Sequence, residues 1–260
     1  MTTIITVSDV SKAYRLNSAN AFSLRHDLMK IIVRYTQNRR LPKDDNTFNA
    51  LSDINLSIDA GERVGIIGRN GAGKTTLLRL LSGIMRPTSG QITIEGQFVS
   101  LLSLGAGFIQ TLSGYDNIYL NAAFYGMKRH EIDEIVDDII EFADIGEFIY
   151  SPLKDYSSGM RSRLGFSIAI HVLPDIIMLD EVFAVGDLAF KEKCQDRILE
   201  LNTAGKTIIL ASHNLSSIRD MCNRAIWIHR GTIKMDGDAK SVTQEYENFF
   251  QKRNLKKANG

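Results

Sequence analysis

The chain has 260 residues, 44% of them hydrophobic and 23% charged, with a net charge of +1 at pH 7. Such a length carries one full α/β domain with room for a helical satellite, and the charge balance leaves no basic field to argue for nucleic acid, which is set aside as a partner. The two cysteines, Cys194 and Cys222, stand far apart and outside any C-x-x-C pattern, which suits a reducing compartment and buried packing and argues against a thiolate metal site.

No basic start, apolar core and small-residue cleavage site open the chain, so no secretion signal is expected and the protein is expected to stay inside the cell. The most apolar stretch, Phe166 to Leu179, is broken by His171 and Pro174-Asp175 and falls short of the roughly 20 apolar residues of a membrane helix. Work at a membrane would need another anchor.

Ile4 to Val10 alternates as a strand, and Ile54 to Ile58 does so again before the turn Asp59-Ala60-Gly61. Between them lies an insertion at about 18–46. Within it, Ser23 to Tyr35 sets Leu24, Leu28, Ile31, Ile32 and Tyr35 at helical spacing, with Arg25, His26, Lys30 and Arg34 on the other faces. A basic amphipathic helix of this kind either docks on its own core or meets a membrane surface or a partner. Arg39 to Asp45 follows as a charged loop.

Glu62 to Ile67 predicts a short buried strand and Thr76 to Leu81 a helix, and between them runs Gly68-Arg69-Asn70-Gly71-Ala72-Gly73-Lys74-Thr75. This is a phosphate-binding loop in the strand–turn–helix context that such a loop requires. Its glycines let the backbone aim several N–H groups at one anion, and the helix adds its positive end. Gly68 through Thr76 are therefore the expected nucleotide-binding residues, with Lys74 reaching the β- and γ-phosphates and the Thr75 hydroxyl ligating Mg²⁺.

After the turn Pro87-Thr88-Ser89-Gly90, Gln91 to Glu95 and Gln97 to Leu102 predict two strands joined at Gly96. The pattern is helical almost throughout from Asp116 to about Val172, with Ile132, Ile135, Val136, Ile139, Ile140 and Phe142 marking one stripe. This predicts a helical subdomain, about 110–172, inserted into an α/β core. Strands return at Ile176 to Leu179, Thr207 to Ala211 and Ala225 to His229. A terminal helix over Ser241 to Phe250 and a polar, fraying tail over 251–260 complete the chain, the rest of which, 1–250, reads as one domain.

Three further segments bear on phosphate chemistry. Ile176-Ile177-Met178-Leu179-Asp180-Glu181 is an apolar strand ending in two carboxylates, Asp180 placed to hold Mg²⁺ and Glu181 to polarise the water that attacks the γ-phosphate. His213, in Ser212-His213-Asn214 after the next strand, is placed to fix that water and glutamate. Asp155-Tyr156-Ser157-Ser158-Gly159-Met160-Arg161 precedes a helix over Ser162 to Val172, and its small residues make Ser157 and Gly159 a second anion site. If this site caps the helical subdomain it cannot easily reach the phosphate loop of its own chain, which implies ATP held between two copies.

At these residues the chain resembles the nucleotide-binding subunit of an ABC transporter across nearly its whole length. The phosphate loop, Asp180-Glu181, the signature-like Tyr156-Ser157-Ser158-Gly159-Met160, Val185-Gly186-Asp187 at the family's D-loop, and His213 occur in family order. The resemblance implies a RecA-like P-loop core, an N-terminal antiparallel β region and a helical subdomain. It implies ATP and Mg²⁺ as cofactors, with Lys74, Glu181 and His213 catalytic and Thr75 and Asp180 at the metal. Ser157, Ser158, Gly159 and Asp187 would bind nucleotide, and Tyr14 would stack on adenine, with Phe48 a weaker candidate across the insertion.

The departures narrow the resemblance. The chain has Tyr-Ser-Ser-Gly-Met where most members have Leu-Ser-Gly-Gly-Gln, and no glutamine opens the Q-loop, where Ser103-Leu104-Gly105-Ala106-Gly107-Phe108 stands with Gln110 out of register. With the basic insertion after Tyr14 and Ala184-Val185-Gly186-Asp187, these features resemble the subfamily that exports lipid-linked polysaccharides, O-antigen or capsule, and the related teichoic-acid exporters. That implies a homodimer working with two copies of a separate permease, peripheral at the cytoplasmic face of the inner membrane. Longer O-antigen members carry a C-terminal glycan-recognising β-sandwich; none is expected here after about Asp238, which leaves selection to the permease. The competing readings are a soluble ABC-type ATPase, against which the single nucleotide-binding half and the lack of heptads argue, and a non-hydrolysing nucleotide sensor, against which Glu181 and His213 argue.

Overall fold

A computed structural model describes residues 2–15, 47–101, 105, 107–180 and 187–258, with side chains through 251. The insertion helix predicted over Ser23 to Tyr35, the loop Arg39 to Asp45, Ser103, Glu181 and Val185-Gly186 lie outside the described residues. The strands are β1 (Thr3–Arg15), β2 (Thr47–Asp59), β3 (Arg63–Ile67), β4 (Ser89–Ile94), β5 (Phe98–Ser100), β6 (Ile176–Asp180), β7 (Thr207–Ala211), β8 (Arg224–His229) and β9 (Thr232–Asp238). The α-helices are α1 (Lys74–Leu81), α2 (Gly114–Phe124), α3 (Arg129–Asp133), α4 (Val136–Ala143), α5 (Ser158–His171), α6 (Leu188–Thr203), α7 (Leu215–Met221) and α8 (Ala239–Ala258).

β1 lies between β2 and β4, antiparallel to both. The larger sheet has the order β5-β6-β7-β3-β8-β9, parallel as far as β8 and closed by antiparallel β9. Its central strands are apolar runs because both faces are covered. Along β6, Ile177 and Leu179 enter a core shared with the helical subdomain, whereas Ile176 and Met178 enter a core shared with α1 and the antiparallel sheet. This period-two split repeats in β7, with Ile208 and Leu210 against Ile209 and Ala211. The expected α/β core, antiparallel region and helical subdomain are thus all present.

Several local expectations need correction. The strands on either side of Gly96 belong to different sheets, β4 to the small and β5 to the large, and the second is only three residues long. The apolar stripe from Ile132 to Phe142 is divided between α3 and α4, with Ile132, Val136, Ile139 and Phe142 buried and Ile135 and Ile140 half-buried. The signature helix begins at Ser158, four residues before its expected start, because Ser157 caps it. At the C-terminus, the polar segment expected to fray continues α8 as far as Ala258.

The helical subdomain is tied to the core by rings from three helices. Phe142 of α4 lies 6.0 Å from Phe166 of α5 and 5.8 Å from Phe190 of α6, centroid to centroid. Cys194 and Cys222 are both buried and burial pushes each thiol up to about 12, in keeping with packing roles. Entry into the subdomain is set by fully buried Asn117, whose Oδ1 accepts from Ile109 N–H at 2.8 Å while its Nδ2 donates to the carbonyls of Ile109, Leu112 and Ser113. Asn117→Ala is expected to cost about 2–3 kcal/mol, because it removes the acceptor of the Ile109 N–H and a second donor from three carbonyls that each keep one backbone bond. A urea titration measures it, and a loss below about 0.5 kcal/mol would contradict this role.

Candidate functional site

β3 is the central strand of the large sheet, and the phosphate loop leaves its C-terminal end between β7 and β8. Ligands of parallel sheets gather at such carboxyl ends. The loop is locked by close backbone approach at two glycines. Gly68 has φ 156°, and a Cβ there would meet Ile228 O at 2.5 Å. Gly73 has φ 115° and caps α1, where a Cβ would meet Leu51 Cδ2 at 2.6 Å and Ala50 O at 2.9 Å. No side chain caps α1, so its first N–H groups face the cleft, where an anion can satisfy them.

Lys74 is buried, and its Nζ donates to Gly68 O at 2.8 Å. Burial holds its pKa below the usual lysine value, and Asp180 partly restores it. Thr75 Oγ1 donates to Asp180 Oδ2 at 3.4 Å. Burial pushes the Asp180 carboxyl above its ordinary range against the opposing pull of Thr75, Lys74 and Arg79. A hydroxyl beside a part-buried carboxylate is the hard-oxygen pair that suits Mg²⁺, which needs few protein ligands when phosphates supply the rest. Residues Tyr14, Phe48, Ala50, Arg69 to Thr76 and Asp180 line one cleft of about 660 Å³.

The aromatic end of this cleft holds both ring candidates. Tyr14 and Phe48 are cross-strand partners in the β1–β2 register, and Phe48 is 50% exposed. The Tyr14 hydroxyl donates to Met85 Sδ at 3.2 Å, which fixes one ring while the other is presented to solvent. The two rings form one apolar wall beside the phosphate loop. Arg69, from the loop itself, lies 5.5 Å from the Phe250 ring of α8.

The remaining candidates stand apart from the cleft lining. Ser157 Oγ accepts from Met160 N–H at 3.1 Å, and Ser157 and Ser158 are exposed. Buried Tyr156 anchors this start by donating to Phe148 O at 2.6 Å, and burial pushes its phenol up to about 12. A Cβ on Gly159 would meet only Ser157 Oγ, at 3.7 Å. No contact among the described residues requires glycine there. Asp187 caps α6 by accepting from Phe190 N–H at 2.9 Å. His213 is exposed two residues beyond β7, whose Ala211 pairs with Asp180. Gln110 is not in the cleft; its Oε1 accepts from Arg161 of the signature helix at 3.3 Å.

The sequence matches the ABC transporter family over residues 51–184, just over half of the chain. It is 46% identical over 213 residues to the teichoic acids export ATP-binding protein TagH of Listeria innocua, a match covering 81% of this chain and 63% of that protein. It is 45% identical over 215 residues to the O-antigen export system ATP-binding protein RfbB of Myxococcus xanthus, covering 83% and 49% respectively. The chain therefore spans less than two thirds of the length of these relatives. Among solved structures it resembles a dimeric, post-hydrolysis ATP-binding cassette bound to ADP and Pi, with a TM-score of 0.69 at 20% identity over 91% of this chain and 99% of that one.

Gly73→Ala tests the loop geometry directly. Left-handed strain and contact with the Ala50 carbonyl together should lower stability by about 2 kcal/mol or more, read from a urea titration. A variant as stable as the parent would show that the loop does not need this conformation.

Proposed function

The chain belongs to the ABC transporter family, and from that premise we propose that it is the ATP-hydrolysing subunit of an exporter of lipid-linked cell-surface polysaccharide. The observation that carries the nucleotide part is the division of the site. The phosphate loop, Asp180 and the two rings share one cleft, while Ser157, Ser158 and Gly159 present an exposed helix start outside it. Two copies arranged head to tail would each supply the half that the other lacks, enclosing two ATP molecules.

In this reading Tyr14 and Phe48 stack on adenine, and Lys74 with the N–H groups of the loop and α1 neutralises phosphate charge. Thr75 and Asp180 would hold Mg²⁺, which supplies further charge neutralisation at the phosphates. Glu181 orients or deprotonates the attacking water, and His213 supports that geometry. Ser157 and Gly159 bind the γ-phosphate from the opposite subunit, and Asp187 meets that subunit at the boundary. Hydrolysis removes the shared anion and releases the pair.

Transport requires a membrane partner. No helix among the described residues is long and apolar enough to cross a membrane; in the exporter reading the subunit works at the cytoplasmic face of the membrane through two copies of a separate permease. The names of the relatives support polysaccharide as cargo, with teichoic acid and O-antigen as the two candidate classes.

Two measurements test the site. Glu181→Gln should lower phosphate release by about a hundredfold or more while ATP binding persists; unchanged turnover removes Glu181 from its role. Tyr14→Ala and Phe48→Ala should each weaken ATP about tenfold yet barely alter tripolyphosphate binding. Equal losses for both ligands would mean that the rings do not hold the base.

A further inference from the structure

Outside the nucleotide cleft, one guanidinium joins three segments. Arg163, less than two turns along α5 from Ser157, donates from Nε to Ala143 O at 3.0 Å and from Nη2 to Asp144 Oδ2 at 2.7 Å. Its Nη1 faces Asp187 Oδ2 at 3.8 Å, and its plane lies 4.6 Å from the Phe190 ring centroid. Asp187 divides its carboxylate, with Oδ1 capping α6 and Oδ2 turned toward Arg163. Asp144 ends α4 at φ 48°, a conformation usually left to glycine or asparagine. Its carboxylate bonds Arg163 from there.

The carboxylates of Asp144 and Asp187 are 75% and 67% exposed, so solvent screens both pairs and they add little to stability. Their consequence is geometric. A planar fork that bonds Ala143 and Asp144, pairs with Asp187 at 3.8 Å and packs on the Phe190 ring links α5, the end of α4 and the start of α6, an arrangement that a single flexible ammonium cannot reproduce. Ser157 to Gly159 stand at one end of this assembly and Asp187 at the other.

We propose that Arg163 is a positioning residue that fixes the signature Ser157–Gly159 relative to Asp187, so that the partner-facing half of the site is preassembled before a second ATP-loaded copy arrives. Among the described residues, the partners of Arg163 are not ones that line the nucleotide cleft. It acts on association and not on nucleotide capture. The inference rests on the composite-site reading above.

The test uses the full chain carrying Glu181→Gln, with Mg-ATP. Nucleotide affinity is measured by fluorescent ATP binding to dilute monomer, and dimer affinity by analytical ultracentrifugation. Arg163→Lys, which keeps charge and stem, should leave nucleotide affinity within about twofold and weaken dimerisation about tenfold or more. Combined with Asp187→Ala it should add little further loss, because both changes break one device. Arg163→Ala should behave alike if its melting curve shows it folded. Dimer affinity unchanged in Arg163→Lys, or full additivity with Asp187→Ala, overturns the proposal while leaving the composite site standing. Failure of the Arg163-intact protein to dimerise with ATP would instead remove the composite site, and this inference with it.

Discussion

Everything at the site depends on how β3 ends. The strand is buried on both faces between β7 and β8, and it stops at Gly68 with a backbone carbonyl of β8 in the space a side chain would fill. The chain must therefore turn at once, and the turn delivers the uncapped start of α1 into the cleft. Lys74 fills the concave side by bonding to Gly68 O, a contact that a phosphate oxygen can displace at little cost, because one acceptor replaces another. Asp180 reaches Thr75 because β6 ends level with β7 and β3, so three neighbouring strand ends set the phosphate and metal positions together.

A cleft built this way has one complete wall. Tyr14 and Phe48 line its aromatic end, the loop its floor, and Thr75 and Asp180 its other side. The start of α5, anchored by Tyr156, leaves Ser157 and Ser158 exposed outside this cleft, where the proposed function puts the remaining anion donors. Splitting a site between copies makes closure conditional on the ligand, since the shared anion is present only when nucleotide is bound. Chemical energy can then be converted into relative motion of two subunits, which is what a membrane partner can use.

Much of this was legible in the sequence wherever a motif is contiguous. The phosphate loop and Asp180 at a strand end each combine local spacing with an element boundary, and the fold has both boundaries where the spacing predicts them, whereas the signature helix starts four residues early under the Ser157 cap. What was not legible depends on partners distant in sequence. Phe48 becomes a match for Tyr14 only through a strand register that spans the insertion, which no local pattern encodes. The assignment of β4 and β5 to separate sheets is decided by pairing with β1 and β6. Arg163 looks like an ordinary helix-surface charge until α4 and α6 close around it. Gln110, which stands near the Q-loop in sequence, proves to be bound to the signature helix.

The central claim is that hydrolysis occurs in a site completed by a second copy. Its most direct test is the specific rate of phosphate release measured against protein concentration at saturating Mg-ATP. A composite site predicts a specific activity that rises with protein concentration through the dilute range and levels off once dimers dominate. A specific activity that stays constant across the same range, in samples shown by light scattering to be monomeric, would contradict it.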